Sequence, residues 1–213
     1  MTDGKKPGRQ QESLDDDSGE ESSRPQLADQ REVPEVYGAA EDSHLLARTV
    51  AEMVEPGDRA LDVGTGSGYV AVALRDAGAE VVGVDVNPHA CATAASVGVQ
   101  TVRGDLVSAF GRGTFDVVAC NPPYLPTPAE KEWDDWMEAA LSGGEDGRRM
   151  IEPLLDDVGR VLAPDGRCFL LVSSLTDIQA VLDYGADRGL VGEEVGAEKH
   201  AFERLVVLAF ERA

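Results

Sequence analysis

The chain has 213 residues, 42% of them hydrophobic, which is enough for one globular domain with a full core. Its 40 acidic side chains outnumber 19 basic ones and give a formal net charge of -21, which favours a protein that stays soluble in a salt-rich cytoplasm, with an acidic docking face as the alternative. This charge argues against direct binding to nucleic acid. The three cysteines and three histidines are too scattered for a disulfide framework or a metal site. No apolar run is long enough to span a membrane, so we expect a cytoplasmic protein.

The first 33 residues differ in composition from the remainder of the chain. They are rich in Asp, Glu, Ser, Gln and Gly and almost free of aromatic residues, so they cannot bury enough apolar surface to fold. From Pro34 onward, short apolar runs alternate with helical patterns. We therefore predict a disordered acidic tail over residues 1–33 and one folded domain over residues 34–213.

The alternation of strand and helix patterns predicts a mostly parallel sheet with helices between its strands. The predicted helices cover about residues 43–54, 69–77, 147–162 and 176–188, and a further helix begins at Pro88 with Asn87 as its N-cap. The seven predicted strands cover residues 59–64, 80–86, 99–103, 115–120, 167–174, 190–197 and 202–210. Because only residues 198–201 separate the last two strands, these should pair as an antiparallel hairpin.

The segment "LDVGTGSGYV" places glycines at alternate positions, 64, 66 and 68, between a strand and a helix. Glycines there allow a tight turn and let a ligand approach the backbone. A dinucleotide-binding loop would have its third glycine at Tyr69, so nicotinamide chemistry is disfavoured. The Gly-x-Gly-x-Gly spacing is typical of S-adenosylmethionine-dependent methyltransferases, and a ligand-free turn of small residues is the alternative.

Two acidic residues end the next two strands at the same edge of the predicted sheet. Asp85 lies about 20 residues beyond the glycine loop, where an acid can accept hydrogen bonds from the ribose hydroxyls of an adenosine ligand. Helix capping is the alternative for Asp85, but Asn87 already fills that position. Asp105 could accept a hydrogen bond from an adenine amino group, or it could stabilise a turn with Gly104.

The segment "NPPY" follows the strand that begins at Phe115. Pro122 and Pro123 fix their own backbone and hold Asn121 in an extended conformation at the end of the strand. The Asn121 side-chain oxygen and the Pro122 carbonyl can accept from the two N–H groups of a planar NH2, and Tyr124 offers an aromatic wall. The loop therefore predicts N-methylation of an amide or of an exocyclic amine.

Taken in order, these segments resemble the HemK-type protein-glutamine N5-methyltransferases that modify translation release factors. The resemblance covers residues 33–213 and rests on "VYGAAEDSHLL", "LDVGTGSG", "VDVNP", "GDL", "NPPY" and "GGEDG". It implies a class I, Rossmann-like methyltransferase fold, an α/β architecture with a seven-stranded, mostly parallel sheet and a C-terminal antiparallel hairpin. It also implies S-adenosyl-L-methionine as cofactor and a catalytic domain over residues 34–213.

The resemblance also implies roles for individual residues. The substrate would be the glutamine of a Gly-Gly-Gln loop in a class I release factor, and Asn121 and Pro122 would hold its amide, with Pro123 and Tyr124 completing the catalytic loop. The implied cofactor contacts are Ser43, Asp62, Gly64, Gly66, Gly68, Asp85, Asp105, Leu106 and Asn121.

The chain is similar to the shorter archaeal and eukaryotic type of this family, which works with a small zinc-binding activator protein. The stretch from Val86 to Val102 contains no Asp, Glu, Lys or Arg, in a chain of which 28% is charged. It comprises a small apolar helix and the strand after it, which lies at a sheet edge in this fold. We expect the activator to dock there as a heterodimer partner, and a helix buried within the fold itself is the alternative.

Three other functions compete with this prediction. A nucleic-acid amino methyltransferase, acting on adenine N6 or guanine N2, would share the Asn-Pro-Pro-Tyr chemistry but needs a basic face or a target-recognition domain, and neither is visible. A protein lysine methyltransferase could use the same shallow loop. A non-catalytic scaffold would be expected to lose the glycines, Asp85 or Asn121, and all are present.

Overall fold

The computed structural model describes residue 1, residues 41–128 and residues 140–213. The predicted tail over residues 1–33, its boundary with the folded domain, and Trp133 and Trp136 lie outside the described residues. The tail and its boundary therefore stay predictions.

The described residues form five α-helices and seven β-strands, which alternate as predicted. The helices are α1 (Glu41–Ala51), α2 (Tyr69–Asp76), α3 (Pro88–Ser96), α4 (Ile151–Val161) and α5 (Ile178–Ala186). The strands are β1 (Arg59–Val63), β2 (Glu80–Asp85), β3 (Gln100–Arg103), β4 (Phe115–Cys120), β5 (Leu162–Ser173), β6 (Leu190–Lys199) and β7 (Arg204–Arg212). No helix among them is long and apolar enough to cross a membrane.

All seven strands join one sheet in the order β3-β2-β1-β4-β5-β7-β6. The neighbours among β1 to β5 pair in parallel, whereas β7 runs antiparallel to both β5 and β6. This arrangement confirms the predicted mostly parallel sheet with its C-terminal hairpin. The strand order reverses between β1 and β4, which is the point where open α/β sheets bind ligands.

Both faces of the sheet are covered, and the core therefore has two layers. Consecutive residues of β4 contribute to opposite layers, with Val118 in one and Val117 in the other. Helix α4 buries Ile151, Leu154 and Val158 against the first layer, at the spacing of one helical face. Helices α1 and α2 pack against the second layer. Because β4 is buried on both faces, its sequence is a nearly continuous apolar run.

Two helix boundaries differ from the prediction by three or more residues. Helix α1 ends at Ala51 rather than at residue 54, although Met53 and Val54 still pack against the core. Helix α4 begins at Ile151 rather than at Gly147, whose φ of 77° is left-handed and cannot lie within an α-helix. Residues 143–147 therefore form a separate turn, and this turn lies beside the candidate site.

Candidate functional site

The candidate site lies at the carboxyl ends of β1, β2 and β4, on either side of the point where the strand order reverses. The glycine loop follows β1, Asp85 ends β2, and Asn121 follows β4. The sequence segments predicted to carry the chemistry are therefore brought to one edge of the sheet.

The glycine loop has a backbone that only glycine adopts without strain. The φ angles of Gly64, Gly66 and Gly68 are 69°, 51° and 81°, all in the left-handed region. The amides of Gly64 and Thr65 both donate to the Val84 carbonyl, at 2.8 Å and 3.1 Å, which fixes the loop against the end of β2. A Cβ built on Gly64 would meet no atom within 4 Å, so that side of the loop is open and can cradle a ligand against the backbone.

Asp62 anchors the loop from beneath. Its carboxylate accepts from Thr65 Oγ1 at 2.8 Å and from the Ala71 amide at 3.1 Å, and the residue is only 2% exposed. Burial raises the pKa of Asp62 to about 7, opposed by these two hydrogen bonds. Asp62 thus ties the glycine loop to the first turn of α2, and its predicted contact with the cofactor stays a prediction.

Asp85 lies beside the open side of the loop. One carboxylate oxygen accepts from the Gly66 amide at 3.0 Å and the other from the Asn87 amide at 2.9 Å. Each oxygen keeps a further lone pair for a hydroxyl group of a ligand. Asn87 accepts from the His89 amide at 2.9 Å and so caps α3 as predicted, which leaves Asp85 free of that role.

Asp105 and Leu106 follow β3 at the same edge. The Gly104 amide donates to the Asp85 carbonyl at 3.1 Å, so this segment is tied to the end of β2. The Asp105 side chain is exposed, and Leu106 has a φ of 47°, a left-handed conformation that is unusual for a leucine. The geometry places both residues within the same group of loops as Asp85.

Asn121 is held by only one of its two polar groups. Its Nδ2 donates to Ser43 Oγ at 3.1 Å. Its Oδ1 is buried and has no hydrogen-bond partner in the part of the chain that the structure describes. A buried acceptor without a partner costs about 1–3 kcal/mol. An N–H donor arriving at this atom would remove that cost.

Asp42 fixes both Ser43 and Tyr124, and the sequence predictions did not include it among the site residues. One of its oxygens accepts from the Ser43 amide at 2.6 Å and from Ser43 Oγ at 3.3 Å, and the other accepts from the Tyr124 hydroxyl at 3.4 Å. Its place in the Glu-Asp-Ser triplet, directly before Ser43, was the available signal. Asp42 therefore connects α1 to the loop of residues 121–124, which the sequence predicts to be catalytic and which we call the catalytic loop.

The turn over residues 143–147 supports the catalytic loop from behind. The Leu125 amide donates to the Leu141 carbonyl at 3.2 Å, and the Leu125 carbonyl accepts from the Gly143 amide at 2.9 Å. A Cβ at Gly147 would collide with the Tyr124 carbonyl oxygen and with the Thr176 side chain. Gly147 is required because the Tyr124 carbonyl approaches it so closely, whereas a Cβ on Gly143 would collide with Gly147 itself.

The site offers positioned acceptors rather than a nucleophile. Cys120, at the end of β4, is fully buried, and burial raises the pKa of its thiol well above the ordinary value. Its thiolate is thus strongly disfavoured. The arrangement suits a reaction in which a planar N–H group must be oriented and the electrophile is supplied by a cofactor.

Comparison with known proteins agrees with this geometry. Residues 61–122 match the protein family described as Methyltransferase domain. A protein of Methanocaldococcus jannaschii, named for N5-glutamine methyltransferase activity, is 33% identical over 182 residues, which cover 82% of this chain and 91% of that protein. The mouse methyltransferase HEMK2 is 30% identical over 198 residues, which cover 84% of this chain and 91% of HEMK2.

A solved structure also covers the fold. The E. cuniculi Mtq2–Trm112 complex, described as responsible for the methylation of the eRF1 translation termination factor, superposes with a TM-score of 0.71 at 27% identity and covers 84% of this chain and 100% of that chain. The M. jannaschii protein and HEMK2, at 33% and 30% identity, are each matched over 91% of their length. The chain therefore belongs to the HemK family of protein N5-glutamine methyltransferases, which use S-adenosyl-L-methionine as methyl donor.

Proposed function

We propose that the protein methylates the side-chain nitrogen of the glutamine in the Gly-Gly-Gln motif of a class I translation release factor. The observation that carries the proposal is Asn121 Oδ1, a buried acceptor that has no hydrogen-bond partner among the described residues and that lies at the cofactor edge of the sheet. The E. cuniculi relative, described as acting on eRF1, supports this choice of substrate.

The cofactor would lie across the glycine loop. The open side of Gly64 would let it approach the backbone, with Gly66 and Gly68 completing the turn. Asp85 would accept from the ribose hydroxyls, and Asp105 and Leu106 would border the adenine. S-adenosyl-L-methionine supplies an activated methyl group when bound, so the protein needs no acid or base to activate the electrophile.

The substrate amide would be held by two acceptors. Asn121 Oδ1 and the Pro122 carbonyl would each take one N–H of the glutamine side chain, which turns the face of its nitrogen toward the methyl group. Pro123 limits the freedom of the loop, and Tyr124 would pack against the plane of the amide. The amide nitrogen would take the methyl carbon as the bond from that carbon to the sulfonium sulfur breaks and the neutral thioether leaves. The nitrogen would give up one proton to solvent, so the methylated amide is neutral.

The experiment that tests this proposal is a methyl-transfer assay in molar KCl, with radiolabelled cofactor and the release factor of the same organism. We expect label in the release factor and none in a variant whose Gly-Gly-Gln glutamine is replaced by alanine. Equal labelling of both would move the activity to another side chain and contradict the proposal.

A small activator protein would complete the enzyme, docked on α3 and β3. Strand β3 is one of the two edge strands of the sheet. Val86, before α3, and Val97, after it, are 48% and 45% exposed. Only part of this stretch is free, because Ala94 and Val99 are buried against Ala71 within the fold. The Trm112 partner of the E. cuniculi relative supports an activator here, and zinc binding by that activator is part of the proposal.

This docking surface can be tested without disturbing the core. Val97→Asp places a charge at the exposed residue that directly follows α3, and we expect the variant to fold and to lose co-purification with the activator. Val191→Asp is the matched control, since Val191 is 53% exposed on β6 at the far end of the sheet. Retention of the activator by the Val97 variant would refute the docking site.

A further inference from the structure

We infer that three exposed apolar side chains around the site, Leu125, Leu175 and Phe202, form a docking rim for the protein substrate. They are 38%, 46% and 96% exposed, and we call them the apolar rim. The inference rests on the proposed function, because it concerns how a protein that carries the glutamine is recognised. It adds a specificity surface that is separate from the groups that hold the amide.

The three residues lie at one edge of the sheet, in loops that adjoin three neighbouring strands. Leu125 follows β4, Leu175 follows β5, and Phe202 immediately precedes β7. Because β7 runs antiparallel to β5, with Ser173 opposite Leu205, its first residues lie at the carboxyl end of the parallel strands. Neighbouring strands are about 5 Å apart, so the apolar rim borders the Asn121 loop on one side.

Contacts between the loops hold the rim against the catalytic loop. Gly147 lies against both the Tyr124 carbonyl and the side chain of Thr176, so it joins the segment of Leu125 to the segment of Leu175. Ser173 Oγ donates to Glu203 Oε2 at 2.6 Å, which joins the end of β5 to the hairpin turn.

The hairpin turn is also attached to α1. His200 Nδ1 is 3.1 Å from Glu41 Oε2, and Glu41 directly precedes the Asp42 that holds Ser43 and Tyr124. The Arg204 amide donates to Ser174 Oγ at 3.0 Å and completes the connection to Leu175. These contacts between the loops fix the position of Phe202 relative to Asn121, so a partner protein that binds Phe202 is positioned relative to Asn121 as well.

Phe202 buries almost none of its ring in the isolated chain. A group of exposed large side chains at a functional edge indicates a contact surface for another protein. The other exposed large hydrophobic residues among the described ones are Met1, Tyr69, Val86, Val97 and Val191. Of these, Val86 and Val97 belong to the proposed activator surface, and Val191 lies at the amino-terminal edge.

The sheet order favours the substrate as the occupant of the rim. Strand β3, where the activator would dock, is at one end of the sheet, whereas β7 is next to the other end. Any protein that brings a glutamine to Asn121 must cover the carboxyl edge between them. Asp177 and Glu203 are near Leu175 and Phe202 in the sequence, and Glu41 contacts His200 of the hairpin turn, so the matching surface would carry apolar side chains flanked by Lys or Arg.

The test compares a whole protein substrate with a short peptide. Steady-state methylation would be measured with the protein in complex with its activator, using the release factor and a peptide that contains only its Gly-Gly-Gln segment. The variants are Phe202→Ala and Leu175→Ala, and Val191→Ala is the control. For the two rim variants we expect KM for the release factor to rise about tenfold, the loss typical of a well-packed interface residue. KM for the peptide and kcat for both substrates should match the unmodified protein.

Each other outcome contradicts the inference. An unchanged KM for the release factor, or equal increases in KM for release factor and peptide, would show that the rim is not a separate docking surface. A dimer of this chain that dissociates on Phe202→Ala, with KM unchanged, would assign the rim to a second copy. No methylation of either substrate by the unmodified protein would refute the proposed function. In that case equal affinity of fluorescent release factor for the unmodified and Phe202→Ala proteins would refute the rim as well.

Discussion

Asn121 is fixed through its donor group and leaves its acceptor for a ligand. The Nδ2 bond to Ser43 determines the orientation of the amide. A flipped side chain would lose this bond, since Oδ1 would lie beside Ser43 and the NH2 group would lie where Oδ1 now lies. Ser43 is in turn fixed by Asp42 through its own backbone and side chain. The orientation of Asn121 Oδ1, the atom that we propose holds the substrate, thus depends on Asp42, which does not contact Asn121 itself.

Asp42 should therefore affect turnover more than cofactor binding. For Asp42→Ala we expect kcat to fall about 100-fold, because Ser43 and Tyr124 both lose the carboxylate that positions them. The affinity for the cofactor, measured by calorimetry, should change little. A variant with full kcat would show that Asn121 is oriented without Asp42.

Asp62 should make stability depend on pH in an unusual direction for a carboxylate. Burial raises its pKa to about 7, so the folded protein keeps a proton that the unfolded chain releases from a group with an ordinary value of 3.8. This contribution to stability is present below about pH 4 and is lost as the pH rises toward 7.

Comparison with Asp62→Asn isolates this contribution, since asparagine has the same shape and does not titrate. We expect the melting temperature of the variant relative to the unmodified protein to improve between pH 5 and pH 8. A constant difference across that range would show that Asp62 titrates normally.

At the scale of elements, the catalytic loop depends on the turn over residues 143–147. Gly147→Ala would introduce a Cβ into the Tyr124 carbonyl at a residue whose φ is 77°. Gly57→Ala is the matched control, because Gly57 has a φ of 94° but no atom within 4 Å of a built Cβ. Both substitutions introduce backbone strain at a positive φ, and only Gly147→Ala also introduces a collision.

For Gly57→Ala we expect a loss of about 1 kcal/mol in the free energy of unfolding and full activity. For Gly147→Ala we expect a larger loss, above about 2 kcal/mol, and strongly reduced methyl transfer. Denaturant unfolding and the methylation assay measure the two effects. Equal effects of the two substitutions would mean that the turn does not support the loop.

Much of this architecture could be predicted from local patterns. Three features were predicted correctly: the apolar run of β4, the Asn87 cap of α3 and the antiparallel hairpin. They could be predicted because each depends on residues that are close in the sequence. The start of α4 was predicted too early, since the close approach of Tyr124 to Gly147 is a contact between distant segments. For the same reason the hydrogen bond from Tyr124 to Asp42 could not be predicted. Asn121 could be singled out because its two prolines identify the loop.

At the scale of the whole molecule, the charge of -21 should make stability depend on salt. Repulsion among exposed carboxylates extends over about 10 Å at 0.1 M salt and over about 3 Å at 1 M. We expect the melting temperature to rise by at least about 5 °C between 0.1 M and 2 M KCl, where screening removes this repulsion. A melting temperature that does not change over this range of KCl would contradict the prediction of a salt-adapted surface.

The central claim is that Asn121 holds the glutamine amide through Oδ1, and the most direct test is kcat/KM for the release factor with Asn121→Ala. We predict a fall of about 100- to 1000-fold, as for the loss of one preorganised hydrogen-bonding group, with cofactor affinity within a few-fold of the unmodified protein. A variant that keeps kcat/KM within a few-fold of the unmodified protein would contradict the account.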